Sequence, residues 1–164
     1  MTTTLKLASV LLAASLLAAC SSTKEEAPPP VVNTPTTSSI APGSAEDFRV
    51  NVGDTVLFDT DQHSVRPDAQ TVLQKQAAWL KQYPQAKLML EGHCDERGTR
   101  EYNLALGDRR AYAVKEFLVS LGVDAARLQT KSYGKERPVC SESDDSCWQQ
   151  NRRGFSVIAA GAGS

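Results

Sequence analysis

The segment 90–110 constrains the fold most, because it predicts a strand, a polar loop and a helix with polar residues on its apolar side. Asn103 and Arg110 are seven residues apart and therefore share one helical face. That face continues with residues typical of a core, namely Ala113, Val114, Phe117 and Leu121. Polar groups on the buried side of a helix are costly unless they are paired. We therefore predict a pocket in which Asn103 and Arg110 lie near Asp95 of the preceding loop. The acid and the guanidinium would together hold a ligand of mixed charge.

Apolar periodicity and turn residues predict a small α/β (α+β) domain with two layers. A helix is expected to begin at Pro67, which suits the first helical position, and to end before Pro84. A second helix is expected to begin after Thr99 as its N-cap and to end near Leu121, with a glycine following as its C-terminal cap. Four strands are expected over residues 52–58, 87–91, 128–133 and 154–160. Strands that alternate with two helices predict a sheet covered by helices on one face. A short helix is expected around Trp148.

The first 19 residues have the pattern of a signal peptide. Lys6 precedes an apolar run over residues 7–19, which is too short for a comfortable membrane span. The run ends in Leu-Ala-Ala-Cys, which resembles a bacterial lipobox, so we expect cleavage before Cys20 and lipidation of its thiol. The alternative is an ordinary signal peptide cleaved nearby, which leaves a free cysteine. Ser21 follows, rather than the Asp that retains such proteins in the inner membrane, so we expect an outer-membrane lipid anchor.

Residues 20–45 are rich in Ser, Thr, Pro and Glu and have no apolar periodicity. This composition predicts a disordered or partly polyproline tether, and the folded domain is expected over residues 46–164. A length of 164 residues is consistent with one such domain. The formal net charge of -1 offers no basic footprint, so no nucleic-acid partner is expected.

The cysteines of the domain predict a disulfide. Cys140 and Cys147 flank a polar stretch, and a local bridge is the natural pairing in an oxidising periplasm. Pairing of either with Cys94 stays open at this point. The run from His93 to Glu96 contains metal-ligand residue types, but no second ligand pair follows at a zinc-like spacing. No metal and no cofactor are therefore expected.

Five separated motifs resemble the peptidoglycan-binding domain of OmpA-like proteins. They are His93-Cys94-Asp95-Glu96-Arg97-Gly98, Glu101-Tyr102-Asn103, Arg109-Arg110-Ala111, Ser132-Tyr133-Gly134 and Asn151-Arg152-Arg153. They fall in the order and at the spacing of that family, and the resemblance covers residues 52–158. It implies a mixed sheet with two main helices on one face, as in the OmpA C-terminal domain. It also implies non-covalent binding of peptidoglycan.

The resemblance also implies binding residues. Residues matching Asp95 and Arg110 grip the diaminopimelate of the peptidoglycan stem peptide in that family. An acid accepts hydrogen bonds from the ammonium of diaminopimelate, and a guanidinium forks onto its carboxylate. The alternative is a salt bridge between Asp95 and Arg110 that only ties loop to helix. Asn103 is expected to bind the ligand or to brace the loop, and Phe58 and Asp59 are expected to border the pocket. Arg152 and Arg153 are expected to organise the last strand more than to touch ligand.

Three functions compete at this stage. The first is a lipid-anchored outer-membrane protein whose periplasmic domain holds peptidoglycan. The resemblance adds TolB and other components of the Tol–Pal system as partners, with a role in cell division. The second is a wall hydrolase, although no catalytic motif and no credibly placed acid pair is present. The third is a scaffold lipoprotein whose pocket is inactive.

Overall fold

The computed structural model describes residues 40–161. The predicted signal peptide, the predicted lipidation site at Cys20 and most of the predicted tether lie outside these residues. Within residues 40–161, no helix combines the length and apolar character that a membrane crossing requires.

The described chain alternates helices and strands. The helices are α1 (Ala45–Asp47), α2 (Pro67–Gln82), α3 (Arg100–Ser120) and α4 (Asp145–Asn151). The strands are β1 (Thr55–Leu57), β2 (Lys87–His93), β3 (Leu128–Gly134) and β4 (Arg153–Ala160). A π-helical turn follows α1 over Phe48–Val52, and a 3₁₀ turn precedes β3 over Ala125–Arg127.

The four strands form one mixed sheet in the order β1-β4-β2-β3. β2 pairs with β3 in parallel, whereas β4 lies antiparallel to both β1 and β2. The parallel connection from β2 to β3 runs through α3, as a parallel pair requires. The expected small mixed sheet with two long helices is confirmed, α4 is the short helix expected around Trp148, and α1 is a short addition.

Local signals place the two long helices correctly. Pro67 occupies the first turn of α2. Thr99 caps α3 by accepting a hydrogen bond from the backbone N–H of Tyr102 at 3.2 Å. Gly122 follows the end of α3 with a φ of +88°, a conformation that a residue without Cβ adopts at little cost.

The expected first strand is too long at its N-terminal end. Residues Phe48–Val52 form a π-helical turn, and the strand begins only at Thr55. Phe48 is buried in the core and packs edge-on against Trp79 at 4.9 Å between ring centroids. Phe48 and Val52 are four residues apart, so a helical turn directs both toward the core, with Val52 partly buried there.

The core lies between α2, α3 and one face of the sheet. Its buried members include Leu73 and Leu80 of α2, Val114 and Leu118 of α3, and Leu88 and Leu90 of β2. α3 lies directly on β2 where Gly107 faces Gly92, because a Cβ on either glycine would collide with the other's backbone. This close approach brings Asn103 and Arg110, on either side of Gly107, to the carboxyl end of β2.

Candidate functional site

A cavity of about 340 Å³ opens beyond the carboxyl end of β2, between the loop after β1, the loop after β2 and α3. Its lining includes three of the five predicted binding residues, Asp95, Asn103 and Arg110. The other lining residues are Thr60, Asp61, Cys94, Arg97, Gly98, Tyr102 and Leu106.

Arg110 forms the floor of this cavity and is fully buried. Its Nε donates to the carbonyl of Gln62 at 2.8 Å, Nη1 to that of His93 at 2.8 Å, and Nη2 to that of Asp59 at 3.1 Å. Burial lowers the pKa of the guanidinium. Arg110 therefore contributes positive charge to the cavity while its donors hold the loop after β1 against β2.

Asp95 is paired with two other arginines rather than with Arg110. Its Oδ2 accepts hydrogen bonds from Arg97 Nη2 at 2.7 Å and from Arg152 Nη1 at 3.1 Å. Its Oδ1 accepts from the Nε and the backbone N–H of Arg97 at 3.2 and 3.1 Å. Burial alone raises the pKa of this carboxyl, but the hydrogen bonds from both arginines outweigh burial and lower it. Asp95 is thus held ionised, and the alternative of a direct Asp95–Arg110 salt bridge is not what the structure forms.

Asn103 braces the loop after β2. Its amide donates to the carbonyls of Arg97 at 2.7 Å and Thr99 at 3.0 Å, and the residue is buried. Cys94 lies beside it and donates from Sγ to the Asn103 carbonyl at 3.3 Å. Burial raises the pKa of the Cys94 thiol, so at neutral pH it is a small neutral side chain in the cavity wall.

The side chains of Phe58 and Asp59 lie outside the cavity lining. Phe58 is buried in the core, with its ring 5.3 Å from the guanidinium carbon of Arg110. The Asp59 carboxylate is mostly exposed and pairs with Arg66 at 3.1 Å. The two residues therefore border the site through Arg110, which packs on the Phe58 ring and donates to the Asp59 carbonyl.

Two cavity residues that the sequence interpretation missed join its opposite walls. The Tyr102 hydroxyl donates a hydrogen bond to the Asp61 carboxylate, which links α3 to the loop after β1. Asp61 adopts a φ of +61°, a left-handed conformation that Asp tolerates better than most residues. Their separation of 41 positions in the sequence explains why no periodicity indicated the contact.

The segment around α4 supports Asp95 from outside the cavity. Arg152 directly follows α4. Its Nε donates to the Phe58 carbonyl at 3.2 Å, and its Nη1 donates to Asp95. Trp148 of α4 lies under the Arg97 guanidinium, 4.2 Å from ring centroid to carbon. A disulfide joins Cys140 to Cys147 in this segment, the pairing that the sequence favoured, and Cys94 is free.

Among residues 40–161, no group of three His, Cys, Asp or Glu side chains is placed to hold a metal ion. The charged side chains that line the cavity are the guanidiniums of Arg97 and Arg110 and the carboxylates of Asp61 and Asp95, while Arg152 pairs with Asp95 from outside the lining. Such a set recognises a ligand that carries both an anionic and a cationic group.

Comparison with known proteins places this cavity within a matched region. The model of the OmpA family matches residues 57–152. A peptidoglycan-associated lipoprotein of Mesorhizobium japonicum is 63% identical over 123 residues, which cover 75% of this chain and 73% of the relative. The protein of that name from Agrobacterium fabrum is 60% identical over 125 residues, covering 76% of this chain and 70% of the relative.

Solved structures share the fold. The crystal structure of the peptidoglycan-associated lipoprotein from Burkholderia pseudomallei superposes with a TM-score of 0.62 at 47% identity, over 63% of this chain and 88% of that chain. The C-terminal domain of Helicobacter pylori MotB superposes with a TM-score of 0.61 at 20% identity, over 65% of this chain and 84% of that chain. The second likeness bears on the fold alone.

Proposed function

The chain belongs to the OmpA family and, from that premise, we propose that its domain binds peptidoglycan non-covalently through the diaminopimelate of the stem peptide. The observation that carries the proposal is the ionised Asp95 in a cavity floored by the buried Arg110. The free end of diaminopimelate bears an ammonium and a carboxylate on one carbon. A cavity lined by both carboxylates and guanidiniums is complementary to both groups.

Each predicted residue has a part in this proposal. Asp95 accepts hydrogen bonds from the ligand ammonium. Arg110 draws the ligand carboxylate into the cavity by its charge, and Asn103 keeps the Asp95 loop in place. Phe58 and Asp59 act indirectly, since they contact Arg110 rather than the cavity space.

We further propose that Cys20 is lipidated and anchors the chain in the outer membrane, with the domain facing the periplasm. The similarity to proteins named lipoproteins and the cysteine after the small residues at 18–19 support this. A single acyl chain gives only marginal membrane binding, so several chains are expected on this cysteine. Mass spectrometry of protein extracted from membranes tests it: wild type is expected to carry acyl mass on a peptide that begins at Cys20, and Cys20→Ser is expected to lack it.

Membership of the family also leads us to propose TolB and other Tol–Pal components as partners, with a role in envelope integrity and cell division. We expect the wild-type chain to co-purify with TolB from membranes. A truncated chain that lacks residues 46–164 is expected not to co-purify with TolB. Retention of TolB by the truncated chain would contradict this part of the proposal.

Titration of the purified protein with a diaminopimelate-containing muropeptide tests the binding proposal. Asp95→Asn removes the charge with little change of shape, so we expect roughly a tenfold or greater loss of affinity. Asp108→Asn is the matched control, because Asp108 is an exposed acid on α3 outside the cavity lining. Equal affinity of wild type and Asp95→Asn would refute the role of Asp95.

The same samples separate the competing functions. Incubation with intact peptidoglycan is expected to sediment the wild-type protein and to release no soluble muropeptide. Released muropeptide would favour the hydrolase. Failure of wild-type protein to sediment would favour the scaffold.

A further inference from the structure

Asp95 has two cationic partners, and they differ in how readily they can leave. The Arg152 side chain is only 9% exposed, and its other nitrogens donate to the Phe58 carbonyl and the Gln149 amide oxygen. The Arg97 side chain is 41% exposed, and its guanidinium makes its hydrogen bonds only to Asp95 among the described residues. Displacing Arg152 would strand a buried charge, which is strongly destabilising. Displacing Arg97 would release an accessible side chain toward water.

The ligand ammonium and Arg97 compete for the same atoms. Arg97 contacts both carboxylate oxygens, Oδ1 through Nε and Oδ2 through Nη2. An ammonium that donates to Asp95 from within the cavity therefore takes positions that the Arg97 side chain fills. Because Arg152 remains on Oδ2, Asp95 stays ionised during the exchange.

Arg97 has a place to go after the exchange. Its guanidinium stacks on the Trp148 ring, a contact that does not depend on Asp95 and is available to a cation. Trp148 is itself tied to the Asp95 loop, since its Nε1 donates to Glu96 Oε1 at 2.9 Å. From this position the planar fork of Arg97 is free to bind a carboxylate bidentately. Arg110 is less suited to that role, because it is fully buried and three of its five N–H groups already donate to backbone carbonyls.

We propose that Arg97 determines the ligand specificity of the cavity by exchanging Asp95 for the ligand carboxylate. This inference rests on the proposed binding of peptidoglycan. A ligand with an ammonium and a carboxylate on one carbon replaces the Arg97–Asp95 ion pair with two new ones. A stem peptide with lysine in place of diaminopimelate brings only the ammonium, so it breaks the ion pair and leaves Arg97 without an anion.

Titration of four proteins with a diaminopimelate muropeptide and a lysine muropeptide tests this. The proteins are wild type, Arg97→Gln, Arg97→Lys and the control Arg100→Gln, whose arginine is exposed and pairs with Glu136 outside the cavity. Wild type and Arg100→Gln are expected to prefer diaminopimelate by about tenfold or more. Arg97→Gln is expected to bind the lysine muropeptide as tightly as wild type or more tightly. Its preference for the diaminopimelate muropeptide is expected to fall to less than threefold. Arg97→Lys is expected to regain only part of the preference, because it keeps the charge and lacks the fork.

Each outcome decides between distinct failures. If wild type binds neither muropeptide, the proposed function fails and this inference with it. If wild type prefers diaminopimelate and Arg97→Gln keeps that ratio, the function stands and the inference is wrong. Equal weakening of both ligands by Arg97→Gln would likewise assign Arg97 to bracing the loop alone. The exchange of Arg97 between Asp95 and the ligand carboxylate is supported if Arg97→Gln loses the preference for diaminopimelate while its thermal midpoint stays within a few degrees of wild type.

Discussion

His93, at the end of β2, is expected to make the stability of the domain depend on pH. The residue is 1% exposed, and neither ring nitrogen has a hydrogen-bond partner among the described residues. Its ring stacks on Tyr133 at 5.4 Å, and Glu91 Oε2 lies 3.4 Å from Nε2. Burial first, and then the charges of Arg153 and Arg137, lower its pKa to about 4 despite that carboxylate.

The size of the effect follows from the difference between folded and unfolded protein. An unperturbed histidine has a pKa of about 6.5, and each pKa unit corresponds to about 1.4 kcal/mol. With a folded pKa of about 4, lowering the pH through this range therefore removes about 3 kcal/mol from the free energy of unfolding. The sign is set by the unfolded chain, which binds a proton that the folded protein excludes. The stability is fully present above pH 6.5, falls as the pH decreases toward 4, and loses nothing more from this group below that value.

Urea unfolding between pH 4 and pH 7.5 measures this dependence in wild type and His93→Phe. The variant keeps an aromatic ring against Tyr133 and removes the titrating group, so about 3 kcal/mol of the pH dependence is expected to disappear. Carboxyl groups also titrate in this range, but they contribute equally to both proteins. His63→Gln is the matched control, because the chain has two histidines and His63 is exposed. The argument fails if wild type and His93→Phe lose the same stability on acidification, or if the His93 ring titrates near pH 6.5 by NMR.

Three further changes have expected outcomes. Gly107→Ala is expected to lower the free energy of unfolding by about 1–3 kcal/mol in urea, because its Cβ would collide with the Ser132 hydroxyl and the Gly92 carbonyl, and these contacts outweigh the helical advantage of Ala; unchanged stability would show that α3 can shift. Reduction of the Cys140–Cys147 bridge, which closes a separation of 7 residues, is expected to cost about 2–3 kcal/mol by the chain-entropy estimate. A reductant is expected to lower the urea midpoint of wild type and leave that of a variant with both cysteines changed to serine unaltered. Arg110→Met is expected to cost about 3 kcal/mol or more, since it removes one hydrogen bond from each of three backbone carbonyls; a normal thermal midpoint would contradict the structural role.

The elements that the sequence predicted well are those with local causes. Thr99 and Gly122 delimit α3 through contacts within a few residues, and Pro67 starts α2 through its own fixed φ. The misjudged first strand has a tertiary cause, because the helical turn at Phe48–Val52 forms where Phe48 reaches Trp79 of α2. Local pattern alone cannot weigh a contact 31 positions away against the strand propensity of Val52, the first residue of the predicted strand.

The charged site shows the same limit with a larger consequence for function. Motifs and helical spacing brought Asp95 and Arg110 to one cavity, but not their partners. Arg110 donates to carbonyls that are 48 and 51 positions away in the sequence, and Asp95 accepts from Arg152, which is 57 positions away. Helical and strand periodicity predict contacts only within one element, so they give no information at these separations. The nearest partner, Arg97, is two residues from Asp95 in a loop, where spacing does not define a shared face. Because the chain already pairs its own acid, affinity for a ligand is the difference between two sets of ion pairs. A conservative change at Arg97 should therefore alter which ligand is preferred, while a change at Arg110 should alter whether the site is formed at all.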